Sequence, residues 1–485
     1  MPCISLQLNR RQFLVLSLAG TAKLAFGAPS AGADPRLRKV QVRLGEESLG
    51  FMPIDFTGLS YETPQLYNPA YFSEANTSLV KAFCDLSSHG VLRLGGNLSD
   101  VARWKGPGGD FSTPKQVAGV EFGKQHYWEW KLTDPSVRAN KDGAITPEAI
   151  RSLGRFLRAT NWKLIYGFNF GCGSPERAAD EAMCVMQEAG DNLMAFQVGN
   201  EDDFFGGRSL FRQKPYEFDQ YFREYTEFVD AVHAKIPQAP FAGPDTATNM
   251  EWVDRFGQKV GTSAGMLSSH FYAMGPAKDP SMDAAFLLSH NKRLDQQIRQ
   301  AKLAVADSSG LRFRMTEGNS CFGGGKPGVS DAFASALWGA DYMLTCASGG
   351  YSGVNLHGGG DGYYTPIAIG ENLSTELRPL YFGMRFAEQF AGWELQRCSV
   401  EGEANFTAYL AGKGSERQLA LVNKDGAPVE VQLKGAVAAR HADHATSLMA
   451  PGIDAMHGIA LTETNGPPGS TYTVNGYTAL LLRWR

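Results

Sequence analysis

Between residues 56 and 380, short β-rich runs alternate with longer stretches of helical periodicity. Eight such runs can be identified, at residues 56–62, 90–96, 163–168, 193–201, 241–244, 267–272, 312–317 and 352–357. Strands that alternate with helices form parallel βαβ units, because each helix returns the chain to the start of the next strand. Eight such units predict an α/β fold, a closed (β/α)8 TIM barrel.

The sequences on either side of this region have a different character. After residue 379, short strands at 405–410, 418–423 and 477–482 are separated by Gly, Asp and Pro turns, which predicts a C-terminal antiparallel β-sandwich. An early strand at 40–44 is expected to join that sandwich. The predicted domains are therefore 34–55 as the joining strand, 56–380 as the catalytic barrel and 381–485 as the sandwich.

The first 33 residues have the features of an export signal. An arginine pair, Arg10 and Arg11, precedes an apolar stretch that is followed by small residues. This pattern is typical of a twin-arginine signal peptide, so we expect the protein to be periplasmic or secreted. We exclude these residues from the prediction of the fold.

Composition limits the function classes. The chain has 485 residues and a formal charge of −4, which disfavours binding to nucleic acid. Beyond the leader no apolar run approaches the roughly 20 residues that a membrane span needs. The seven cysteines have neither zinc-type spacing nor a CxxC pair, so they are interpreted mainly as core thiols. No metal or cofactor is expected, and the protein is expected to be a monomer.

Two glutamates end strands of the predicted barrel. Glu201 ends the fourth strand and Glu317 ends the seventh. Active sites of TIM barrels lie at the carboxyl ends of the strands, so these residues are the candidate catalytic pair. Cleavage of a glycosidic bond with retention needs two carboxyl groups about 5–5.5 Å apart, one protonated and one ionised. Asn200 is positioned to reach the sugar 2-hydroxyl, and Tyr272 to hydrogen-bond the nucleophile.

The motifs around these residues resemble a known family. The segments 199–201, 270–272 and 316–320 look like the clan of retaining barrel glycosidases. More narrowly, 319–326 followed by an alanine-rich helix, and then 354–359, resemble glycoside hydrolase family 79, the family of β-glucuronidases and heparanases. The resemblance covers nearly all of the chain beyond the leader and includes Glu62 and 95–97.

The resemblance implies roles for individual residues. It makes Glu201 the acid/base and Glu317 the nucleophile of an exo-acting β-glucuronidase, which removes terminal glucuronic acid, including its 4-O-methyl form. It also implies a subsite whose carboxylate pocket uses backbone N–H groups and hydroxyls. The residues expected to bind substrate are Glu62, Asn97, Asn200, Tyr272, Ser320, Phe322, Gly323, His357 and Tyr364. The family pattern leads us to expect a tyrosine near 322, where this chain has Phe322.

Other functions fit part of the pattern. An endo-acting, heparanase-like enzyme would need basic residues along its cleft, and the barrel loops carry no cluster of Lys and Arg. An arabinofuranosidase would share the two glutamates but not the glycine-rich loop. A non-catalytic carbohydrate-binding protein on a decayed barrel would be expected to have lost the glutamates.

Overall fold

A computed structural model describes residues 37–111, 143–206, 211–360, 362–370, 372–435, 442–467 and 469–485. The predicted signal peptide lies outside the described residues. The same is true of most of an insertion predicted at 101–140, which is described only as far as 111. Within the described part of the chain, no helix is both long enough and apolar enough to cross a membrane.

The strands fall into two main sheets and two short hairpins. From the amino end to the last barrel strand they are β1 (Arg38–Phe51), β2 (Thr57–Glu62), β3 (Val91–Gly95), β4 (Trp104–Gly106), β5 (Gly109–Phe111), β6 (Lys163–Phe168), β7 (Leu193–Val198), β8 (Phe241–Thr246), β9 (Met266–Met274), β10 (Arg312–Cys321) and β11 (Gly353–Gly358). The later strands are β12 (Ile367–Ile369), β13 (Thr375–Leu377), β14 (Glu394–Glu401), β15 (Phe406–Lys413), β16 (Glu416–Asn423), β17 (Val429–Lys434), β18 (His444–Met449), β19 (Ala460–Asn465), β20 (Thr471–Val474) and β21 (Thr478–Trp484).

Eight strands close into a parallel barrel. Their order around the barrel is β2-β3-β6-β7-β8-β9-β10-β11, and β11 pairs in parallel with β2 to complete the ring. All eight predicted runs form these strands, so the predicted (β/α)8 barrel is confirmed. The interior at the amino ends of the strands is filled by a small apolar cluster, which consists of Val91, Ile165, Ala195, Ala242 and Met266.

The helices lie between the strands of the barrel. They are α1 (Thr77–Leu86), α2 (Pro147–Thr160), α3 (Pro175–Ala189), α4 (Phe218–His233), α5 (Met250–Val260), α6 (Ala284–Leu288), α7 (Lys292–Asp307), α8 (Phe333–Ser348) and α9 (Pro379–Glu388). Ser174 precedes Pro175, the first residue of α3, and caps the helix by accepting a hydrogen bond from the Arg177 N–H. The domain boundary predicted at 380 falls in the first turn of α9, which packs on α8.

The C-terminal strands form one continuous sheet. Its order is β19-β18-β21-β16-β15-β14-β1-β17-β20, in which β1 pairs with β14 in the antiparallel and with β17 in the parallel direction. Side chains from most of these strands meet in one apolar core, so the sheet curls over itself as the two layers of a sandwich do. The predicted C-terminal β-sandwich is confirmed.

Strand β16 is buried on both faces. Leu419 and Leu421 point into the sandwich core, whereas Ala420 and Val422 belong to the large core that includes the barrel. Successive side chains of a strand point to opposite faces, so this one strand serves both cores. The sandwich is therefore packed against the barrel through a continuous apolar contact.

A buried ion pair reinforces that contact. Lys424 Nζ lies 2.8 Å from Asp341 Oδ2, and both side chains are nearly enclosed. The hydroxyls of Thr407 and Tyr409 donate to Asp341 Oδ1. Burial alone would raise the pKa of Asp341, but the charge of Lys424 and these hydrogen bonds lower it. The carboxylate on α8 therefore anchors strand β15 and the chain after β16.

Replacing Lys424 with Met should destabilise the protein by about 3 kcal/mol, because Asp341 would be left as a buried charge without its cation. The difference from wild type should shrink below the ordinary pKa of an aspartate, where Asp341 becomes protonated. Urea unfolding at pH 7 and pH 3 measures both. Lys39→Met is the matched control, since its pair with Glu430 has the same 2.8 Å distance but is exposed. A loss no larger than that of the control would contradict the anchoring role.

Candidate active site

The two candidate glutamates meet at the carboxyl end of the barrel. Glu201 follows β7 and Glu317 lies in β10, and one carboxylate oxygen of Glu201 lies within 4.8 Å of one of Glu317. Glu317 is 3% exposed, whereas the side chain of Glu201 is 13% exposed. The structure therefore brings the two carboxyl groups together in unequal surroundings.

Irregularities in the backbone direct both side chains. The register of β10 against β9 shifts between Met315 and Glu317. In a regular strand Thr316 and Glu317 would face opposite sides, but here both bond to groups inside the barrel. Glu201 has a left-handed backbone with φ 53°, and its N–H donates to the carbonyl of Asp245 at 3.0 Å. Such conformations are uncommon for residues other than glycine and cluster at functional sites.

A fully buried arginine, Arg93 on β3, holds this region together. Its Nη1 donates to Glu317 Oε2 at 2.6 Å and to Ser60 at 3.1 Å. The Nη2 atom donates to Asn200 Oδ1 and Asp245 Oδ2, and Nε donates to Gln197. All five N–H groups of the guanidinium are thus used. Arg93 fixes Glu317 but has no donor left for a substrate.

Glu317 is held in its ionised form. Burial raises its pKa, but the charges of His357, His270 and Arg93 and a hydrogen bond from Tyr272 outweigh burial and lower the pKa to about 2. The Tyr272 hydroxyl donates to Oε1 at 2.9 Å, while Arg93 holds Oε2. At neutral pH Glu317 is therefore an oriented carboxylate.

A second buried charge pair lies beneath Glu201. Asp245, which ends β8, accepts hydrogen bonds from Gln197 at 2.6 Å and Thr316 at 2.5 Å. The ring of His270 lies between Asp245 and Glu201, with Nε2 3.2 Å from Asp245 Oδ2 and Nδ1 3.3 Å from Glu201 Oε1. Burial lowers the pKa of His270, but the charges of Asp245 and Glu317 and the contact with Glu201 raise it to about 10.

The sequence analysis did not assign Arg93, Asp245, Gln197 or His270 to the site. A signal existed for Arg93, since a charged residue in the otherwise apolar run 91–94 has to be paired when it is buried. The sequence also indicated Asp245, because this residue directly follows the apolar run 241–244 near a strand end. Nothing in the sequence indicated that these side chains share one network.

The first group of predicted binding residues lies beside the glutamates. Asn200 is buried, and its Oδ1 accepts from Arg93 and from the N–H of Gly96, which leaves its Nδ2 directed at Asn97 Oδ1 at 3.4 Å. Asn97 is exposed. Glu62 accepts from the N–H of Leu98 at 2.8 Å, so it also supports the loop after β3.

The second group surrounds Glu317. His357 Nδ1 lies 3.0 Å from Ser60 Oγ and 3.6 Å from Glu317 Oε2, and its Nε2 lies 3.9 Å from Glu62. The ring of Tyr364 lies 5.9 Å from that of His357 and 6.3 Å from that of Tyr272. These aromatic rings form one wall next to Glu317.

The glycine-rich loop differs from the prediction at one residue. Ser320 belongs to β10, is fully buried, and its hydroxyl bonds to Ser330 at 2.8 Å. Its hydroxyl is thus engaged in holding the loop, and its contact with a substrate stays a prediction. Phe322 is 45% exposed, and its ring packs edge to face on Tyr272. Gly323 has φ +84° with open space around its Cβ position.

Three ligand atoms of Glu201, His270 and Glu317 lie within 4.8 Å of one another, a spacing compatible with a metal ion. The chemistry of these groups fits a metal poorly. A protonated imidazole has no lone pair to donate, and Arg93 already neutralises Glu317. The arrangement is suited instead to holding and moving protons between carboxyl groups.

Replacing Tyr272 with Phe should move the acidic limb of the kcat/KM profile upward by about one pH unit, because Glu317 loses a hydrogen bond that favours its ionised form. Activity should therefore fall first at low pH and least at high pH. Rate measurements between pH 2 and pH 7 test this. Tyr381→Phe is the control, since it removes a buried hydroxyl that bonds only to the Ala82 carbonyl. Identical acidic limbs in both variants would exclude the assigned role of Tyr272.

Comparison with curated proteins finds two β-glucuronidases and a heparanase-like protein among the relatives of this chain. The chain is 25% identical over 281 residues to a β-glucuronidase of Aspergillus niger and 24% identical over 334 residues to one of Neurospora crassa. These matches cover 51% and 62% of this chain and about half of the relatives' own lengths, 52% and 56%. A heparanase-like protein 3 of Arabidopsis thaliana is 20% identical over 81% of this chain and 73% of its own length. No protein-family model matches the chain.

Solved structures share the fold. A 4-O-α-L-rhamnosyl-β-D-glucuronidase from Fusarium oxysporum superposes with a TM-score of 0.70 at 18% identity, covering 92% of this chain and all of the other. A family 51 arabinofuranosidase from Xanthomonas axonopodis gives 0.63 at 14% identity over 92% of this chain and all of the other. The sequence relatives confirm the resemblance that the motifs indicated, to the glycoside hydrolase family of the β-glucuronidases and heparanase-like proteins.

Proposed function

We propose that this protein is a retaining, exo-acting β-glucuronidase that removes terminal β-linked glucuronic acid, including its 4-O-methyl form, from glycans. The observation that carries the proposal is the pair of carboxyl groups within 4.8 Å in unequal surroundings. Glu317, ionised and held from two sides, has the properties of a nucleophile. Glu201, more exposed, has those of a proton donor. A separation of about 5 Å suits retention, whereas inversion needs about 6.5–9.5 Å for an intervening water.

The reaction has two displacements. In the first, Glu317 attacks the anomeric carbon, the bond to the aglycone oxygen breaks, and Glu201 transfers its proton to that oxygen. The sugar is then an ester of Glu317. In the second, Glu201 takes a proton from water, the water oxygen attacks the anomeric carbon, and Glu317 leaves as a carboxylate. Two inversions return the β configuration.

The sugar carboxylate has to be bound without a free arginine. Arg93 is saturated, and Lys326 donates to the carbonyls of Ala277 and Asp279. The donors that we propose are the N–H groups of the loop after Phe322, whose own N–H donates to the Met274 carbonyl. The open space around Gly323 would let a carboxylate approach the backbone. We propose this loop as the glucuronate-recognition element.

Selectivity for the uronic acid tests the proposal. We expect kcat/KM for 4-nitrophenyl β-D-glucuronide to exceed that for the matching β-glucoside by at least about 100-fold, because a pocket built for a carboxylate leaves donors unpaired with a hydroxymethyl group. Equal rates on both sugars would contradict a glucuronidase. A higher kcat/KM for an α-L-arabinofuranoside would indicate an arabinofuranosidase, which is a different activity on the same fold.

Product analysis separates exo from endo action. With an oligosaccharide that ends in glucuronic acid, exo action releases only the monosaccharide from the first minutes. Internal cleavage would release larger fragments and support a heparanase-like activity. Exo-acting and endo-acting enzymes use the same two displacements. This experiment therefore tests the shape of the cleft and not the roles of the two glutamates.

We also propose that the protein is exported through the twin-arginine route and acts as a monomer. Replacing Arg10 and Arg11 with Lys should retain the protein in the cytoplasm, where fractionation would detect it. Light scattering of the purified protein tests the monomeric state. A variant that is exported as efficiently as wild type would exclude the route.

A further inference from the structure

The ring of His270 is enclosed by charges from three barrel strands and the turn after β7. Asp245 from β8, Glu201 after β7 and Glu317 from β10 face it, and Arg93 from β3 lies behind Asp245 and Glu317. The ring is 1% exposed, so water does not reach it freely. Its protonation state is therefore set by these side chains.

The state of this ring matters for the proton of Glu201. A neutral imidazole next to the Asp245 carboxylate would carry its proton on Nε2, and Nδ1 would then present a lone pair to Glu201. That lone pair would compete with the aglycone oxygen for the proton of Glu201. A doubly protonated ring has no lone pair, so Nδ1–H donates to Oε1 and the acidic proton is confined to Oε2.

Asp245 is built to retain its negative charge. It accepts from Arg93, Gln197 and Thr316 with distances of 2.5 to 2.6 Å, and it is 1% exposed. The Nε2–H bond of His270 is not aligned with Asp245 Oδ2. Their 3.2 Å contact is therefore a close ion pair and not an aligned hydrogen bond. The backbone carbonyl of Asp245 accepts a hydrogen bond from the N–H of Glu201. One residue thus contacts both the acid and the ring that faces it.

We propose that Asp245 is a positioning residue that keeps His270 doubly protonated, so that the ring cannot accept the proton of Glu201 and directs it toward the leaving group. The inference rests on the proposed glucuronidase function for its catalytic meaning. The state of the ring itself does not depend on turnover.

Nitrogen NMR of protein labelled with ¹⁵N-histidine tests the first step on the wild type. The signals of His270, identified by their loss in His270→Gln, should be those of a ring with two protonated nitrogens at pH 7.5. A His270 signal from an unprotonated nitrogen at that pH would overturn the proposal. Because no turnover is needed, this result is separate from failure of the protein to cleave glucuronides.

The variant Asp245→Asn tests the second step. The ring should become neutral at pH 7.5, and kcat/KM should fall at least about tenfold more for methyl β-D-glucuronide than for 2,4-dinitrophenyl β-D-glucuronide, which leaves without a proton. Thr316→Val is the matched control, because it removes one hydrogen bond from Asp245 but keeps its charge. Equal losses on both substrates in Asp245→Asn would mean a merely structural role and would sink the proposal. If this variant does not fold, the wild-type spectrum still decides.

Discussion

Replacing Glu317 with Gln is expected to lower kcat on 4-nitrophenyl β-D-glucuronide by at least about 10⁴-fold while leaving a folded protein. The amide keeps the volume of the side chain, and its oxygen can still accept from Arg93 while its NH2 group donates to the Tyr272 oxygen, but it cannot form the glycosyl ester. The loss should be the same for good and poor leaving groups, because no leaving group departs without the attack of Glu317 on the anomeric carbon. Circular dichroism and thermal unfolding monitor folding.

A matched control and a rescue sharpen this test. Glu388→Gln changes a partly buried glutamate on α9, which accepts from Thr57 at the start of β2, and should retain most of the activity. In Glu317→Ala, azide can occupy the vacated position and attack from the α face, so the expected product is the α-glucuronosyl azide. A normal rate in Glu317→Gln, or an azide product of β configuration from Glu317→Ala, would contradict the assignment of the nucleophile.

Replacing Glu201 with Ala is expected to have the second largest effect, and one that depends on the substrate. For an alkyl glucuronide kcat/KM should fall about 10²- to 10⁴-fold, because the departing alkoxide needs a proton. For 2,4-dinitrophenyl β-D-glucuronide, whose phenolate leaves unaided, formation of the glycosyl ester should be nearly unaffected. The ester should then accumulate, since no base activates the water, and a burst of nitrophenolate should precede slow turnover.

Azide distinguishes this variant from the nucleophile variant. In Glu201→Ala the ester on Glu317 forms normally, so azide attacks it from the β face and gives the β-glucuronosyl azide with accelerated turnover. Asp203→Asn is a suitable control, because this neighbouring carboxylate accepts only from backbone N–H groups of residues 247–249. Equal losses for alkyl and dinitrophenyl substrates in Glu201→Ala would mean that another group is the acid.

The barrel could be predicted because its signal is periodic. Strands β6 and β7 are apolar and short, and helix α3 between them has a serine cap and an apolar face, so each segment can be predicted from its own residues. The end of the barrel was harder to define. Helix α9 continues eight residues past the predicted boundary, since the chain after Pro379 carries both a helical pattern and the start of the sandwich.

The meeting of the two glutamates at one end of the barrel could also be predicted, because Glu201 follows the apolar strand β7 and Glu317 follows the apolar start of β10. The network beneath them could not. Strict alternation along β10 would turn Glu317 away from Thr316, and only the register shift against β9 allows both to point inward. A register shift near Asp245 likewise separates Pro244 from Thr246. Such irregularities depend on pairing between strands distant in sequence, and they leave no local pattern.

Ser320 illustrates the converse error. Its place next to a glycine-rich segment suggested an exposed loop, but the strand continues through Cys321 and buries the hydroxyl against Ser330. The loop proper begins at Phe322. The glycines therefore predict a loop correctly only from Gly323 onward. Positive φ angles at Gly323 and Gly324 favour residues without a Cβ.

Proton NMR of the purified protein acting on 4-nitrophenyl β-D-glucuronide, with the matching β-glucoside as control, tests the central claim most directly. The anomeric signals are followed in the first minutes, before mutarotation. We expect glucuronic acid to appear first as the β anomer, with little or no product from the glucoside. Initial release of the α anomer would contradict the double displacement through Glu317, and turnover of the glucoside alone would contradict a glucuronidase.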